Sequence, residues 1–156
     1  MVTINLFHNQ VVGHEWAIDL LQRQVEQGQA PQALLLTGPP HVGKSTLGRF
    51  LAQSLNCRSH SRPCGQCLSC RKFGSGNHPD IRLLDDDEET IKIDQIRELQ
   101  RELSLSPHES QYRVVLLCNF ERATTSAANA LLKTLEEPAE QVVLILTAPD
   151  PSRLLP

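Results

Sequence analysis

The chain has 156 residues, of which 40% are hydrophobic and 21% are charged, and its formal net charge at pH 7 is −3. These values are ordinary for a globular domain, and the length is sufficient to bury one hydrophobic core. No apolar run approaches the ~20 residues of a membrane span, and residues 1–5 do not resemble a signal peptide, so a cytoplasmic location is expected. In that compartment, clustered cysteines indicate metal binding before disulfides.

The first predicted element is an amphipathic helix that Gly28 and Pro31 end. Its large apolar side chains recur at helical spacing and are expected to share one face: Trp16, Leu20, Leu21 and Val25. Val11 and Val12 precede this helix and are candidates for contact with an adenine base. Ordinary core packing explains this apolar pair equally well.

Residues 38–46 read Gly-Pro-Pro-His-Val-Gly-Lys-Ser-Thr and match the phosphate-binding P-loop pattern G-x-x-x-x-G-K-[ST]. An apolar strand at residues 33–37 precedes the motif and a helical pattern follows it, which is the context that the motif requires. Its glycines allow the backbone N–H groups to point at an anion, the lysine is expected to reach the β- and γ-phosphates, and the serine hydroxyl to bind Mg²⁺. The predicted site for ATP with Mg²⁺ therefore comprises Gly38, Gly43, Lys44, Ser45 and Thr46, with Val11 and Val12 at the base.

Four cysteines follow the P-loop helix, which is expected to end near Asn56: Cys57, Cys64, Cys67 and Cys70. The last three have two-residue spacings, which are typical of a tetrahedral zinc site. Four thiolates leave no open coordination position, so a structural zinc site is expected, within an insertion at residues 57–72. An iron–sulfur cluster is the alternative metal centre, and His60 is a less regular competitor among the ligands.

The same insertion is basic, because it carries Arg58, Arg62, Arg71 and Lys72 and no acid. Contact with nucleic acid or with a neighbouring subunit explains this charge. Simple solubility of an exposed knob explains it as well.

Strands and helices alternate over the rest of the chain. Further strands are predicted at residues 81–84, 113–118 and 142–147, with the run 113–118 at the centre of the sheet. The acidic run 85–89 is expected to be a solvated loop. Helices are expected from an N-cap at Asp94 and from a cap at Thr125 or Ser126. This alternation predicts a three-layer α/β fold on a parallel sheet, as in P-loop NTPases, with the P-loop and the strand ends at one edge.

The acids that an NTPase usually places at the end of the strand predicted here at residues 113–118 are missing. Cys118 and Asn119 stand there, and neither side chain can act as a carboxylate ligand or a general base near neutral pH. We therefore expect a P-loop that binds nucleotide and hydrolyses it poorly. The alternative is that Glu121 or Asp150 substitutes for the missing acids.

Several runs are similar to those of a known family. They are residues 11–14, 78–80, 91–97 and especially 129–138 (Asn-Ala-Leu-Leu-Lys-Thr-Leu-Glu-Glu-Pro), together with the cysteine insertion directly after the P-loop helix. Over nearly its whole length the chain thus resembles the bacterial DNA polymerase III clamp-loader subunits. The resemblance implies an AAA+ (RecA-like) ATPase domain with a zinc module. It also implies partners: a hetero-pentamer with gamma/tau and delta subunits that opens the sliding clamp and places it on primed DNA.

Two types of subunit in this family compete as the match. The gamma/tau motor type carries an Asp-Glu pair where this chain has Cys118 and Asn119, whereas the delta-prime type often has a degenerate site and acts as a stator. Ala148 and Pro149, which stand where a polar sensor is expected, also favour delta-prime, while the intact Lys44 slightly favours gamma/tau. The family's arginine finger, lid and collar are expected beyond residue 156, so residues 1–156 are interpreted as a truncated N-terminal ATPase domain.

Two functions from other classes, a small kinase and a nucleic-acid binder, are alternatives for a chain with these motifs. A small P-loop kinase requires an acceptor site and a lid that bears arginine, and the sequence offers no convincing stretch for either. A zinc-based nucleic-acid binder with a vestigial P-loop would use the basic residues of the insertion, and its binding would weaken with salt.

Overall fold

A computed structural model describes residues 2–5, 15–85 and 90–153 of the chain. The described strands form one parallel sheet in the order β1-β2-β5-β4-β3. Their bounds are Val2–Asn5 (β1), Ala33–Thr37 (β2), Ile81–Leu84 (β3), Arg113–Leu117 (β4) and Val142–Ala148 (β5). The helices are Glu15–Glu26 (α1), Lys44–Asn56 (α2), Leu68–Gly74 (α3), Ile93–Leu103 (α4) and Thr125–Glu136 (α5), and two short 3₁₀ turns cover Phe120–Arg122 and Pro151–Arg153.

Both faces of the sheet are covered by helices, so the predicted three-layer α/β fold is confirmed. Alternate side chains of each inner strand belong to different cores: Val115 and Leu117 of β4 pack with α4 and α5, and Val114 and Leu116 pack with α1 and α2. A strand that buries both of its faces must be apolar throughout, which explains the run Val-Val-Leu-Leu in β4.

Helix α2 approaches the sheet closely through Gly48. A β-carbon at that position would lie 2.7 Å from Leu116 Cδ1. The glycine thus brings the helix that follows the P-loop directly against β4, and this fixes where the first turn of α2 lies relative to the strand ends.

The predicted helix before the P-loop exists, but only part of its predicted apolar face packs on the core. In α1 Ala17 and Leu21 are buried and Val25 packs against them, whereas Trp16 is 40% and Leu20 is 41% exposed. The small Ala17 is what lets the helix lie near the sheet, so the two bulkier residues point away from the core.

Several boundaries also differ from the predictions. Strand β1 was not predicted, and the middle of the sheet is occupied by β5, with β4 beside it. The N-cap of α4 is Lys92, two residues before the predicted cap Asp94, and the Lys92 N–H donates to the Gln95 side chain at 2.8 Å. The cap of α5 is Thr124, whose hydroxyl accepts the Ala127 N–H at 3.1 Å. No helix among residues 15–85 and 90–153 is long and apolar enough to cross a membrane.

Candidate nucleotide site and cysteine module

The P-loop joins the carboxyl end of β2 to the amino terminus of α2. Gly38 and Gly43 have φ values of 155° and 94°, conformations that favour glycine, and Gly43 is the N-cap residue of α2. The backbone N–H groups of the first helical turn are therefore available to an anion, and the helix dipole favours negative charge there. Thr46 lies on the exposed side of this turn.

Lys44 is folded back over its own loop. Its Nζ lies 2.5 Å from the carbonyl oxygen of Gly38 and 3.1 Å from that of Pro39. Burial lowers the pKa of Lys44, and the negative charge of Glu121 acts in the opposite direction. Glu121 Oε2 is buried and has no hydrogen-bond partner in the described part of the chain.

Ser45, Cys118 and Asp85 lie near the carboxyl edge of the sheet. Arg49 Nη2, in the second turn of α2, donates to Asp85 Oδ2 at 2.6 Å. Burial raises the pKa of Cys118 to about 11. The thiol therefore stays protonated near neutral pH.

Thr147 is a polar residue at this edge that the sequence analysis missed. It is buried at the end of β5, and its Oγ1 accepts the Asn119 N–H at 3.0 Å. Asn119 itself has a left-handed φ of 55°. The sequence analysis expected a polar side chain at Ala148 or Pro149. The structure has one at Thr147, one residue before Ala148.

Three other predicted positions do not add to the described site. Val11 and Val12 lie outside the described residues. Asp150 is exposed, and its Oδ1 accepts the Ser152 N–H at 2.9 Å, which stabilises the turn after β5.

The four cysteines predicted as metal ligands converge at the other end of α2. Their sulfur atoms all lie within 4.8 Å of one another, and the Cys64–Cys70 and Cys57–Cys67 pairs are each separated by 4.0 Å. Four thiolates around one zinc ion, with Zn–S bonds of about 2.3 Å, place neighbouring sulfurs about 3.8 Å apart. The cluster therefore has the size and the ligands to hold a metal ion.

Backbone N–H groups point at these sulfurs, as expected for thiolate ligands. Cys57 Sγ accepts from Cys64 N at 3.4 Å, and Cys64 Sγ accepts from Gln66 N and Cys67 N at 3.4 and 3.2 Å. Although burial opposes the change, hydrogen bonds from Arg58 and Cys70 lower the pKa of Cys67 to about 6. Burial raises the pKa of Cys70 to about 12, so this thiol becomes a ligand only as the metal displaces its proton.

We call residues 57–74, with their cysteines and α3, the cysteine module. It is attached to the segment before β4 by side chains that the sequence analysis did not single out. Asn56 donates to the Tyr112 carbonyl at 2.9 Å and accepts the Tyr112 N–H at 3.1 Å, while Lys72 Nζ lies 2.6 and 2.8 Å from the two carboxylate oxygens of Glu109.

His78 and Asp80, which entered the sequence analysis only within the family run at residues 78–80, are structural anchors beneath the module. The Asp80 carboxylate accepts backbone N–H groups from His108, Glu109 and Ser110 at 2.5, 2.9 and 2.9 Å. Burial opposes ionisation of Asp80, but these three bonds and the nearby Arg113 hold its pKa below the usual range. The clue available in the sequence was an aspartate within the turn signal Asn-His-Pro-Asp.

The basic residues of the module have different surroundings. Lys72 is paired with Glu109, and Arg62 donates to the Ser59 carbonyl at 3.0 Å. Arg58 and Arg71 are exposed, as is His60.

A glycine P-loop between a parallel strand and a helix, at the carboxyl edge of a sheet covered on both faces, defines a P-loop domain of the α/β class. A family model described as "DNA polymerase III, delta subunit" matches residues 13–156. The chain belongs to this family of clamp-loader subunits, as the sequence resemblance predicted.

Curated relatives of the chain include both types of subunit. The delta' subunits of Bacillus subtilis and Pseudomonas aeruginosa are 36% and 37% identical over 87% and 92% of the chain, which spans 42% and 45% of those proteins. The tau subunit of Escherichia coli is 34% identical over 92% of the chain, which spans 23% of that protein. A solved gamma subunit-related protein from Thermotoga maritima superposes with a TM-score of 0.67 at 27% identity, covering 89% of the chain and 41% of that protein. The chain therefore spans less than half the length of these relatives.

Proposed function

We propose that this chain is the N-terminal AAA+ domain, residues 1–156, of a delta-prime-type subunit of the DNA polymerase III clamp loader. In this role it holds ATP with Mg²⁺ at the P-loop, hydrolyses it slowly or not at all, and serves as a stator while the clamp is loaded. The observation that carries the proposal is the chemistry of Cys118 and Asn119 beside an intact P-loop. A protonated thiol and an amide neither neutralise a metal ion nor take a proton from water.

The intact part of the site supports nucleotide binding. Lys44 already contacts two carbonyl oxygens of the loop, so a phosphate can replace these partners without a change in the backbone. The Gly43 conformation and the free N–H groups of the first turn of α2 fit a phosphate cradle. Bound ATP with Mg²⁺ would supply the phosphates for these groups and a cation for the Ser45 hydroxyl.

Single-turnover ATP hydrolysis in a reconstituted loader tests the proposal. The assembly is prepared so that the full-length form of this subunit carries its only intact P-loop lysine. Bound nucleotide and released phosphate are measured together. Retained ATP without cleavage is expected. Rapid cleavage that stops in a Lys44→Ala variant would instead identify a motor subunit.

The gamma/tau-type motor is the second candidate, and one observation favours it. Glu121 presents a buried oxygen without a hydrogen-bond partner near Lys44, where a base for hydrolysis is needed. If this carboxylate activates water, turnover should be stimulated by DNA and should be lost in Glu121→Gln as well as in Lys44→Ala.

We further propose that the cysteine cluster holds a structural zinc ion. The ligands are Cys57, Cys64, Cys67 and Cys70, and their sulfur separations and backbone N–H donors fit a closed tetrahedral site. Zinc would complete the module as a small rigid unit and would leave no position for a substrate.

The partners proposed are those that the family implies: gamma/tau and delta subunits directly, and the sliding clamp and primed DNA through the complex. The place of action would be the cytoplasm, where a bacterial chromosome is replicated. Co-purification of the full-length protein with gamma and delta subunits tests this. A protein that stays monomeric and binds neither subunit would overturn the assignment, even if it binds ATP.

A further inference from the structure

The end of strand β4 lacks the acid that a metal-dependent P-loop site needs, but the end of β3 supplies a carboxylate at the same place. Strands β3 and β4 are parallel neighbours, and the Cys118 N–H donates to the Leu84 carbonyl at 2.9 Å. Asp85, the next residue, therefore lies beside Cys118 at the carboxyl edge of the sheet.

A side-chain contact connects this carboxylate to the helix that follows the P-loop. Asp85 Oδ2 accepts from Arg49 Nη2 at 2.6 Å, and Arg49 lies about one helical turn after Ser45, whose hydroxyl is expected to bind Mg²⁺. The Cys118 thiol at the end of β4 is a poor ligand for Mg²⁺, which prefers hard oxygen donors. Asp85 is thus a carboxylate oxygen donor that the described structure places at the carboxyl edge of the sheet, beside the first turns of α2.

Arg49 is the other charged group at this position. Its Nη2 lies 2.6 Å from Asp85 Oδ2, and its side chain is 44% exposed. An ion pair this open to water contributes little, so it yields easily when a cation competes for the carboxylate. Glu121 lies near enough to Lys44 for its negative charge to oppose the lowering of the Lys44 pKa.

We propose that Asp85, from the neighbouring strand, replaces the missing acid of β4 and holds the Mg²⁺ of bound nucleotide together with Ser45. The inference rests on the proposed nucleotide binding and deepens it: the site keeps an acid that holds the metal, although Cys118 and Asn119 supply no general base. Such a site binds Mg²⁺–ATP tightly without cleaving it, which is what a stator requires.

The test measures the affinity of the full-length protein for a fluorescent ATP analogue, once with excess Mg²⁺ and once with EDTA. The ratio of the two dissociation constants reports the metal and not the fold. In the wild-type protein Mg²⁺ should tighten binding, and Asp85→Asn should reduce that advantage roughly 10–100-fold, as loss of a group that holds a metal does. The affinity in EDTA should be unchanged or higher, because a negative charge near the phosphates has been removed.

Three further variants sharpen the result. Asp94→Asn removes an acid whose side chain is 90% exposed on α4 and should leave the ratio unchanged. Arg49→Gln removes the competitor of the metal and should keep or increase the advantage. Cys118→Asp, which restores an acid to β4, should rescue Asp85→Asn.

The outcomes distinguish a failure of the role of Asp85 from a failure of the proposed nucleotide binding. ATP binding without any effect of Mg²⁺, or an unchanged ratio in Asp85→Asn, overturns the inference and leaves the proposed nucleotide binding intact. If Glu121→Gln abolishes the advantage and Asp85→Asn does not, Glu121 holds the metal and the inference is likewise wrong. No ATP binding in either buffer overturns the proposed function, and with it the role of Asp85.

Discussion

Ser69 and His78 join the cysteine module to the sheet through a buried hydrogen bond of 2.9 Å between Ser69 Oγ and His78 Nε2. The Asp80 N–H donates to the other ring nitrogen, Nδ1, at 3.1 Å. Since Nδ1 accepts, the proton of the neutral ring is on Nε2, and His78 donates to the serine next to Cys70 of the cysteine cluster. One imidazole thus links α3, which carries Cys70, to the start of β3.

Replacing His78 by alanine should therefore destabilise the protein. The change leaves the buried Ser69 hydroxyl and the Asp80 N–H without their partner, and a cost of about 1–3 kcal/mol is expected. Urea unfolding measures the loss. The control is His60→Ala, because His60 is exposed on the same module, and its effect should stay within about 0.5 kcal/mol. Equal effects of the two variants would contradict the assigned role of His78.

Acid should destabilise the native state through Asp80. Its folded pKa is below the unfolded value of about 3.9, so the unfolded chain binds the proton first as the pH falls. The stabilisation is complete above the unfolded pKa and is lost as the pH decreases through the folded pKa. Asp80→Asn should lower the free energy of unfolding at pH 7 by about 1–3 kcal/mol, because an amide accepts the three N–H groups poorly.

The pH dependence provides the check on Asp80. Unfolding curves of the wild type and of Asp80→Asn should converge between about pH 4 and pH 2, because protonation abolishes the same contribution in the wild type. A difference that stays constant over this range would mean that the variant acts through packing and not through charge.

Removing one metal ligand should empty the cysteine cluster. Cys67→Ser is expected to reduce the metal content from about one zinc per chain to nearly none and to lower the melting temperature strongly, since structural zinc contributes on the order of 10 kcal/mol. Elemental analysis and thermal unfolding measure the two effects. Cys118→Ser is the matched control, because this cysteine lies at the carboxyl edge of β4, and it should keep the metal.

Asn56→Ala should loosen the attachment of the module to β4. The side chain of Asn56 pairs with both backbone groups of Tyr112, and it is only 5% exposed. Leaving these groups unpaired should cost about 1–3 kcal/mol. Amide hydrogen exchange should show faster exchange at Tyr112, and Asn129→Ala, at an exposed position of α5, should change neither quantity.

The alternation of elements was predictable because buried parallel strands must be apolar on both faces. Strands β2 to β5 follow that rule and were predicted nearly residue for residue. Strand β1, with four residues, offers too little pattern, and α3 is only seven residues long within a polar, cysteine-rich insertion. The exposure of Trp16 could not be read from helical spacing, since the choice between two overlapping faces depends on how closely α1 approaches the sheet.

The candidate site was predictable where a motif encodes it. In the P-loop and in the cysteine run, the spacing of the residues specifies their local arrangement, and the structure brings the residues of each motif together. Asp85 and Thr147 were missed for a different reason: their relation to Cys118 and Asn119 depends on the order of strands in the sheet. The signal for Asp85 was present, because it follows a strand directly, but the acidic run 85–89 was interpreted as a solvated loop.

Helix α2 begins at the P-loop lysine and ends beside the first cysteine ligand. Its 13 residues correspond to about 20 Å, more than twice the distance over which charges influence one another at physiological salt. A metal ion held by the cysteines and a triphosphate bound at the P-loop would therefore interact only weakly through the solvent. Each can be loaded, stripped or labelled while the other serves as an internal reference, so that one preparation can report on both.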